Sequence, residues 1–153
     1  MFAIFYALLL GGVAGLRTAT APAAVSWAAS LGWLNLQDSW LAFMAHPVAP
    51  WILTAMAIAE LVTDQLPSRP SRKEPAPFIA RLVSGALCGA AIGISGGALL
   101  LGIAAGGVGA IMGTLGGHAV RARIATALGK DRPAALIEDV VAIAGALLIV
   151  WAA

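Results

Sequence analysis

The stretch from Phe78 to Val120 constrains this chain more than any other, because in those 43 residues the only Asp, Glu, Lys or Arg is Arg81. About 20 apolar residues suffice to cross a hydrocarbon core. As one straight helix the stretch would be about 64 Å long at 1.5 Å per residue, so it has to fold back once. Its glycines mark how. Gly85, Gly89, Gly93 and Gly97 recur at every fourth residue, Gly102 and Gly106 follow, and then come Gly109, Gly113 and Gly117. In water a helical glycine costs up to about 1 kcal/mol against alanine. In lipid the same spacing lays a smooth groove along which two backbones pack by van der Waals contact, where the hydrophobic effect gives no help. The sequence therefore predicts a turn at Ser95, Gly96 and Gly97. A helix over 78–95 precedes it, and a second over 98–120, or as far as 128, follows. The two pack as a glycine zipper through Gly85, Gly89, Gly93, Gly102, Gly106, Gly109, Gly113 and Gly117.

The rest of the composition agrees. Hydrophobic residues make up 61% of the chain and charged residues 10%, with a mean hydropathy of +0.94, outside the range of soluble domains. A chain of 153 residues has room for four or five spans and no separate soluble domain, so 1–153 reads as one integral membrane domain with the lipid bilayer as its partner. The net charge of +2 is small and the bases sit near the ends of apolar runs, which argues against nucleic acid as a partner. Cys88 is the single cysteine, which excludes an intrachain disulfide and reads as a small buried residue. His46 and His118 are isolated, there is no thiol cluster, and nothing marks a metal or cofactor site.

Taken in order, a first span covers 2–21, with Arg17 in its last turns. No base precedes its apolar run, so it reads as retained rather than as a cleaved signal. Residues 22–46 are apolar but broken by Gly32, Asn35, Gln37 and Asp38. They carry Trp27, Trp33 and Trp40 at intervals that suit a membrane–water boundary, so the segment lies along or dips into one surface. A second span over 50–66 carries Glu60 and Asp64 one helical turn apart. A stiff basic connection follows, with Arg69, Arg72 and Lys73 among prolines. After the glycine-faced pair, a turn at Gly129 to Arg132 leads to Pro133 and a fifth span over 134–153, with Glu138 and Asp139 in its first turns. The expected fold is an all-α bundle of about five membrane helices. Five spans put the two basic connections on one side, and the positive-inside rule makes that side and the N-terminus cytoplasmic. A short echo links Arg17-Thr-Ala-Thr-Ala21 to Arg123-Ile-Ala-Thr-Ala127, each preceded by a glycine pair. Three spans apart, the copies would cross in opposite senses, as an inverted repeat.

The charged residues inside the spans carry the functional question. Glu60, Asp64, Arg81, Arg121, Arg123, Glu138 and Asp139 all fall toward one end of their spans, and such groups pair, reach the interface or line water. They read either as an ionic clasp that fixes helix order or as a polar vestibule for an ion, proton or small solute. In the clasp, Arg81 pairs with Glu60 or Asp64, and Arg121 or Arg123 with Glu138 or Asp139. Glu60, the deepest acid, leads the functional reading. Arg17 is expected toward the opposite face with no acid nearby, where it reaches outward or binds an anionic lipid or solute. Gly93-Ile-Ser95-Gly96 matches the G-x-S-G of rhomboid intramembrane proteases. However, His118 stands some 20 helical residues, about 30 Å, from Ser95, so the pair cannot act as nucleophile and base. No catalytic residue and no enzyme activity is expected.

Read together, Arg17-Thr-Ala-Thr-Ala-Pro22, Glu60-Leu-Val-Thr-Asp64-Gln-Leu-Pro67, Arg81-Leu-Val-Ser-Gly85-Ala-Leu-Cys-Gly89-Ala and Glu138-Asp139-Val resemble the small bacterial membrane proteins gathered as domain of unknown function 4126. The likeness covers nearly the whole chain. It implies a bacterial inner-membrane location and treats Arg17, Glu60, Asp64, Pro67, Arg81, Glu138 and Asp139 as parts of the family pattern. The functional expectation is a small ion, proton-coupled or solute transporter or channel. A membrane scaffold or lipid-interacting protein, whose charges only clamp helices, is the alternative. Because so small a bundle has little interior, a homo-oligomer, most simply a dimer, is expected.

Overall fold

A computed structural model describes residues 2–66 and 74–153; the basic connection bearing Arg69, Arg72 and Lys73 lies outside them. The described residues form six α-helices and one 3₁₀ turn: α1 (Phe2–Leu16), α2 (Thr20–Ser30), the 3₁₀ turn (Ala42–Ala45), α3 (Ala49–Thr63), α4 (Pro75–Ser95), α5 (Leu99–Leu128) and α6 (Asp131–Ala152). Three of these, α4, α5 and α6, are long and apolar enough to cross a membrane; α1 and α3 are shorter apolar helices. The side chains are distributed as lipid would sort them. Buried positions are dominated by Ala and Gly, whereas Leu100, Leu101, Met112, Val140, Leu148 and Trp151 are exposed. Without a hydrophobic force between helices, small residues let backbones approach and large apolar ones face the tails.

The central turn lies where the glycines put it. α4 ends at Ser95, Gly97 takes a left-handed φ of 70°, and α5 starts at Leu99. α4 and α5 then run antiparallel at close range, since a Cβ added to Gly106 would lie 2.9 Å from the Gly89 Cα. Gly85, Gly93 and Gly102 face the same seam. The other glycines serve a third helix. Gly109 and Gly113 abut Leu8 and Gly12 of α1, and Gly11 and Gly15 of α1 abut Gly106 and Thr114. Gly117 lines a groove between α5 and α6.

α1 therefore packs parallel to α5, starting beside the central turn, where Gly96 lies against Ala3. This departs from the expected inverted repeat: α1 and α5, which carry the two glycine pairs, run in the same sense. The cause is a reversal within the expected span 2–21. Helix α1 stops at Leu16, the chain turns through Arg17, Thr18 and Ala19, and α2 runs back. Its direction follows from α3, which runs antiparallel to it: Trp27 bonds Thr54 and stacks edge-on with Trp51, Ala19 and Ala23 pack on Ala57, and Thr18 meets Glu60. α1 and α2 are thus a helical hairpin with its tip at residues 17–19. α1 alone is about 22 Å long.

Residues 31–48 close the end of the bundle opposite that tip. Leu34, Leu36, Leu41 and Met44 are buried in the main core, Ser26 bonds the Met44 carbonyl at 2.6 Å, and Trp33 and Trp40 stay exposed. The tryptophans thus divide: Trp33 and Trp40 face outward and Trp27 packs into the α2–α3 seam. α6 returns antiparallel to α5 and α1, with Ala142, Ala146 and Val150 in the core and Gly145 beside Val13.

Candidate functional site

A chain that reverses between two helices leaves backbone N–H and C=O groups without helical partners, and away from water each must be met. At the tip of the α1–α2 hairpin three neighbouring helices, α3, α4 and α5, contribute to that. The Glu60 carboxylate of α3 accepts from the Thr18 N–H at 2.7 Å through Oε1 and from the Ala19 N–H at 2.8 Å through Oε2. Ser84 Oγ of α4 donates to the Thr18 carbonyl at 2.6 Å, and Thr114 Oγ1 of α5 lies 3.2 Å from the Gly15 carbonyl and 2.8 Å from that of Ala110. Pro22, which has no N–H to satisfy, falls in the first turn of α2, where a missing donor costs nothing.

The first residue of the tip carries the charge. Arg17 has no exposed surface and its guanidinium is held by Asp64 of α3 and Asp139 of α6, with Glu138 Oε2 at 3.9 Å. Asp64 is shared: its Oδ2 also accepts from Nη1 of Arg121 at 2.7 Å. Arg121 reaches Glu138 at 3.3 Å and grips Asp131 with two bonds, Nε at 3.0 Å and Nη2 at 2.7 Å. Paired guanidinium–carboxylate bonds of this kind fix geometry as well as charge. Among the described residues, Arg17 and Arg121 join Asp64, Asp131, Glu138 and Asp139 into one connected group.

The structure thus gathers Glu60, Asp64, Arg121, Glu138 and Asp139, as the sequence suggested, and corrects the place of Arg17. That residue was expected at the opposite face without an acid; it is the hub of the group. The hairpin reversal changes which end of the bundle it reaches. Arg81 is buried on α4, one turn before Ser84, and Arg123 is exposed on α5, away from the cluster. Glu60 is engaged by backbone amides at the tip. Four participants were not anticipated: Asp131, Ser84, Thr114 and the tip amides. One signal was available, since Pro22 after a short polar run is a helix-start mark rather than a helix end.

Ser95 and His118 stand far apart along α5's length, both exposed, as the geometry of one turn and a long helix requires.

With this geometry established, comparison places the chain. The family model described as Domain of unknown function (DUF4126) matches residues 4–153. The chain belongs to that family. No curated protein and no solved structure matches it. The family match spans the hairpin, the charged cluster and the close-packed helices together.

Proposed function

We propose that this DUF4126 protein is an integral membrane carrier or channel for an ion or small solute, with the charged group at the hairpin tip as its working site and protons as its coupling species. The observation that carries this reading is the fully buried Arg17 at a helix reversal, flanked by Asp64 and Asp139 from two other helices. Broken helices with ionisable groups at mid-bundle depth are how transporters present backbone and charge to a solute. A buried carboxylate such as Asp139, paired with Arg17, is a group that can take up and release a proton as the pair opens and closes. In this reading the α1–α2 hairpin is re-entrant, entering and leaving by one face, and α3 to α6 supply the crossings.

The ion pairs also favour a second reading, a non-transporting scaffold or lipid-interacting protein, because Arg17 and Arg121 both have carboxylate partners and could simply clamp α1, α3, α5 and α6. The two readings separate in proteoliposomes. Under the first, wild type passes a proton-linked flux across a panel of ions and small solutes, and Asp139→Asn abolishes it while the protein stays folded. A wild type that carries nothing, with Asp139→Asn lowering only its melting temperature, establishes the clamp.

Location follows from the basic connections. Asp64 at the end of α3 bonds Arg121, so α3 ends on the side of the turn at Gly129. The positive-inside rule makes that side cytoplasmic in a bacterial inner membrane. The added reversal then puts the N-terminus outside, opposite to the sequence expectation. Glycine-lined contact of α4, α5 and α1 acts as a zipper within each copy. A homo-oligomer, most simply a dimer, supplies the volume that so closely packed a bundle lacks.

A further inference from the structure

The backbone amides at the hairpin tip are filled by the protein's own carboxylate. Glu60 reaches them from α3, one oxygen to Thr18 at 2.7 Å and the other to Ala19 at 2.8 Å. Consecutive N–H groups at the start of an 11-residue helix are the recognition element for a small anion. Two more donors in the same four residues are buried with no hydrogen-bond partner: Nε of Arg17, which has no exposed surface, and Oγ1 of Thr20, whose residue is 7% exposed. Buried donors without acceptors are uncommon in native proteins and call for a cause. In sequence their residues flank the two whose amides Glu60 occupies. Thr20 also opens onto a groove of about 210 Å³ between α2, α3 and α6, lined by Ala57, Leu61 and Ala146.

We propose that the tip is a binding site for a small monovalent anion, a halide or a short carboxylate, and that Glu60 holds its place until the anion displaces it. The inference names the solute class for the site of the preceding section and rests on that reading. An incoming anion takes over the charge that Glu60 supplied to the amides of Thr18 and Ala19. It also satisfies Thr20, which the tethered carboxylate does not.

The test is anion binding to the full chain in detergent, in gluconate buffer, with formate and bromide as probes. Glu60→Ala vacates the site, so formate should bind it at least about tenfold more tightly than wild type, in which the occupied fraction is unavailable. The same titration should raise the melting temperature of Glu60→Ala more than that of wild type. Adding Thr20→Val should reverse most of the gain. Equal responses of wild type and Glu60→Ala to both probes would overturn the proposal. If Glu60→Ala is lost on extraction, Glu60→Gln replaces it: its single amide oxygen cannot serve two N–H groups as the carboxylate does, and no gain in formate affinity there is equally fatal. Formate and bromide flux in vesicles keeps the two ideas distinct. Tight binding without flux upholds the anion site and sinks transport, whereas flux without any gain on removing Glu60 does the reverse.

Discussion

Arg17 shows how one residue's meaning depends on what surrounds it. In a chain read linearly it is a lone base with no acid near in sequence, yet it ends with no exposed surface between Asp64 and Asp139. Removing one member of a buried pair leaves the other charge unmet and costs roughly 3–5 kcal/mol. Arg17→Met should therefore lower the detergent melting temperature sharply. The double variant Arg17→Met with Asp139→Leu should lose less than the sum of the singles, because each single leaves a partner unpaired. Additive losses would mean that the pair is not a unit. Glu60, by contrast, was singled out from depth alone. Its true engagement, with the amides of Thr18 and Ala19, was hidden because backbone donors leave no trace in a residue-type pattern.

At the scale of the helices, spacing of glycines was the strongest signal in the sequence, and it fixed the turn at Gly97 as well as the antiparallel α4–α5 pair. What spacing alone left open was which helix each glycine meets. Gly109 and Gly113 sit on the same helix as Gly102 and Gly106, but they face α1. This gives a paired prediction. A Cβ at Gly106 has the Gly85 carbonyl and the Gly89 Cα in its way, so Gly106→Ala should destabilise by about 1–3 kcal/mol through forced separation of backbones. Gly116, where an added Cβ meets nothing within 4 Å, should tolerate alanine or gain up to about 1 kcal/mol from helix propensity. Thermal melts of the two variants in one detergent check this, and equal behaviour would contradict the packing. The α1–α2 break was missed for a definite reason. Arg17 is the only charged residue in 2–34, so hydropathy shows one segment where the backbone makes two.

For the molecule as a whole, that one reversal decides the topology. Six helices in place of five put both chain ends at the same face of the bundle, opposite the turn at Gly129. Single cysteines at Ser39 and Lys130, in a background where Cys88 is replaced by alanine, should then be labelled by an impermeant reagent from opposite sides of a sealed vesicle. A cysteine placed at Phe2 should label from the side of Ser39. Labelling of Phe2 from the side of Lys130 would mean that α1 crosses outright, and the hairpin would fail. Cys88 itself has no exposed surface and is shielded from the reagent; alanine there removes one buried sulfur, at a cost on the order of 1 kcal/mol.

The sequence by itself determined the material and the scaffold: an apolar chain with charges confined to a few positions, a sharp turn where glycine permits a positive φ, and helices able to touch backbone to backbone. Those properties are local or periodic, and residue type alone encodes them. Only the tertiary structure decided that Arg17 belongs with Asp64, Asp139 and Arg121 and that Glu60 fills the amides of a reversal. Pairing of that kind depends on which residues, dozens of positions apart, the chain's turns bring to one depth, and a single unmarked turn at residues 17–19 changes the answer for every charge that follows.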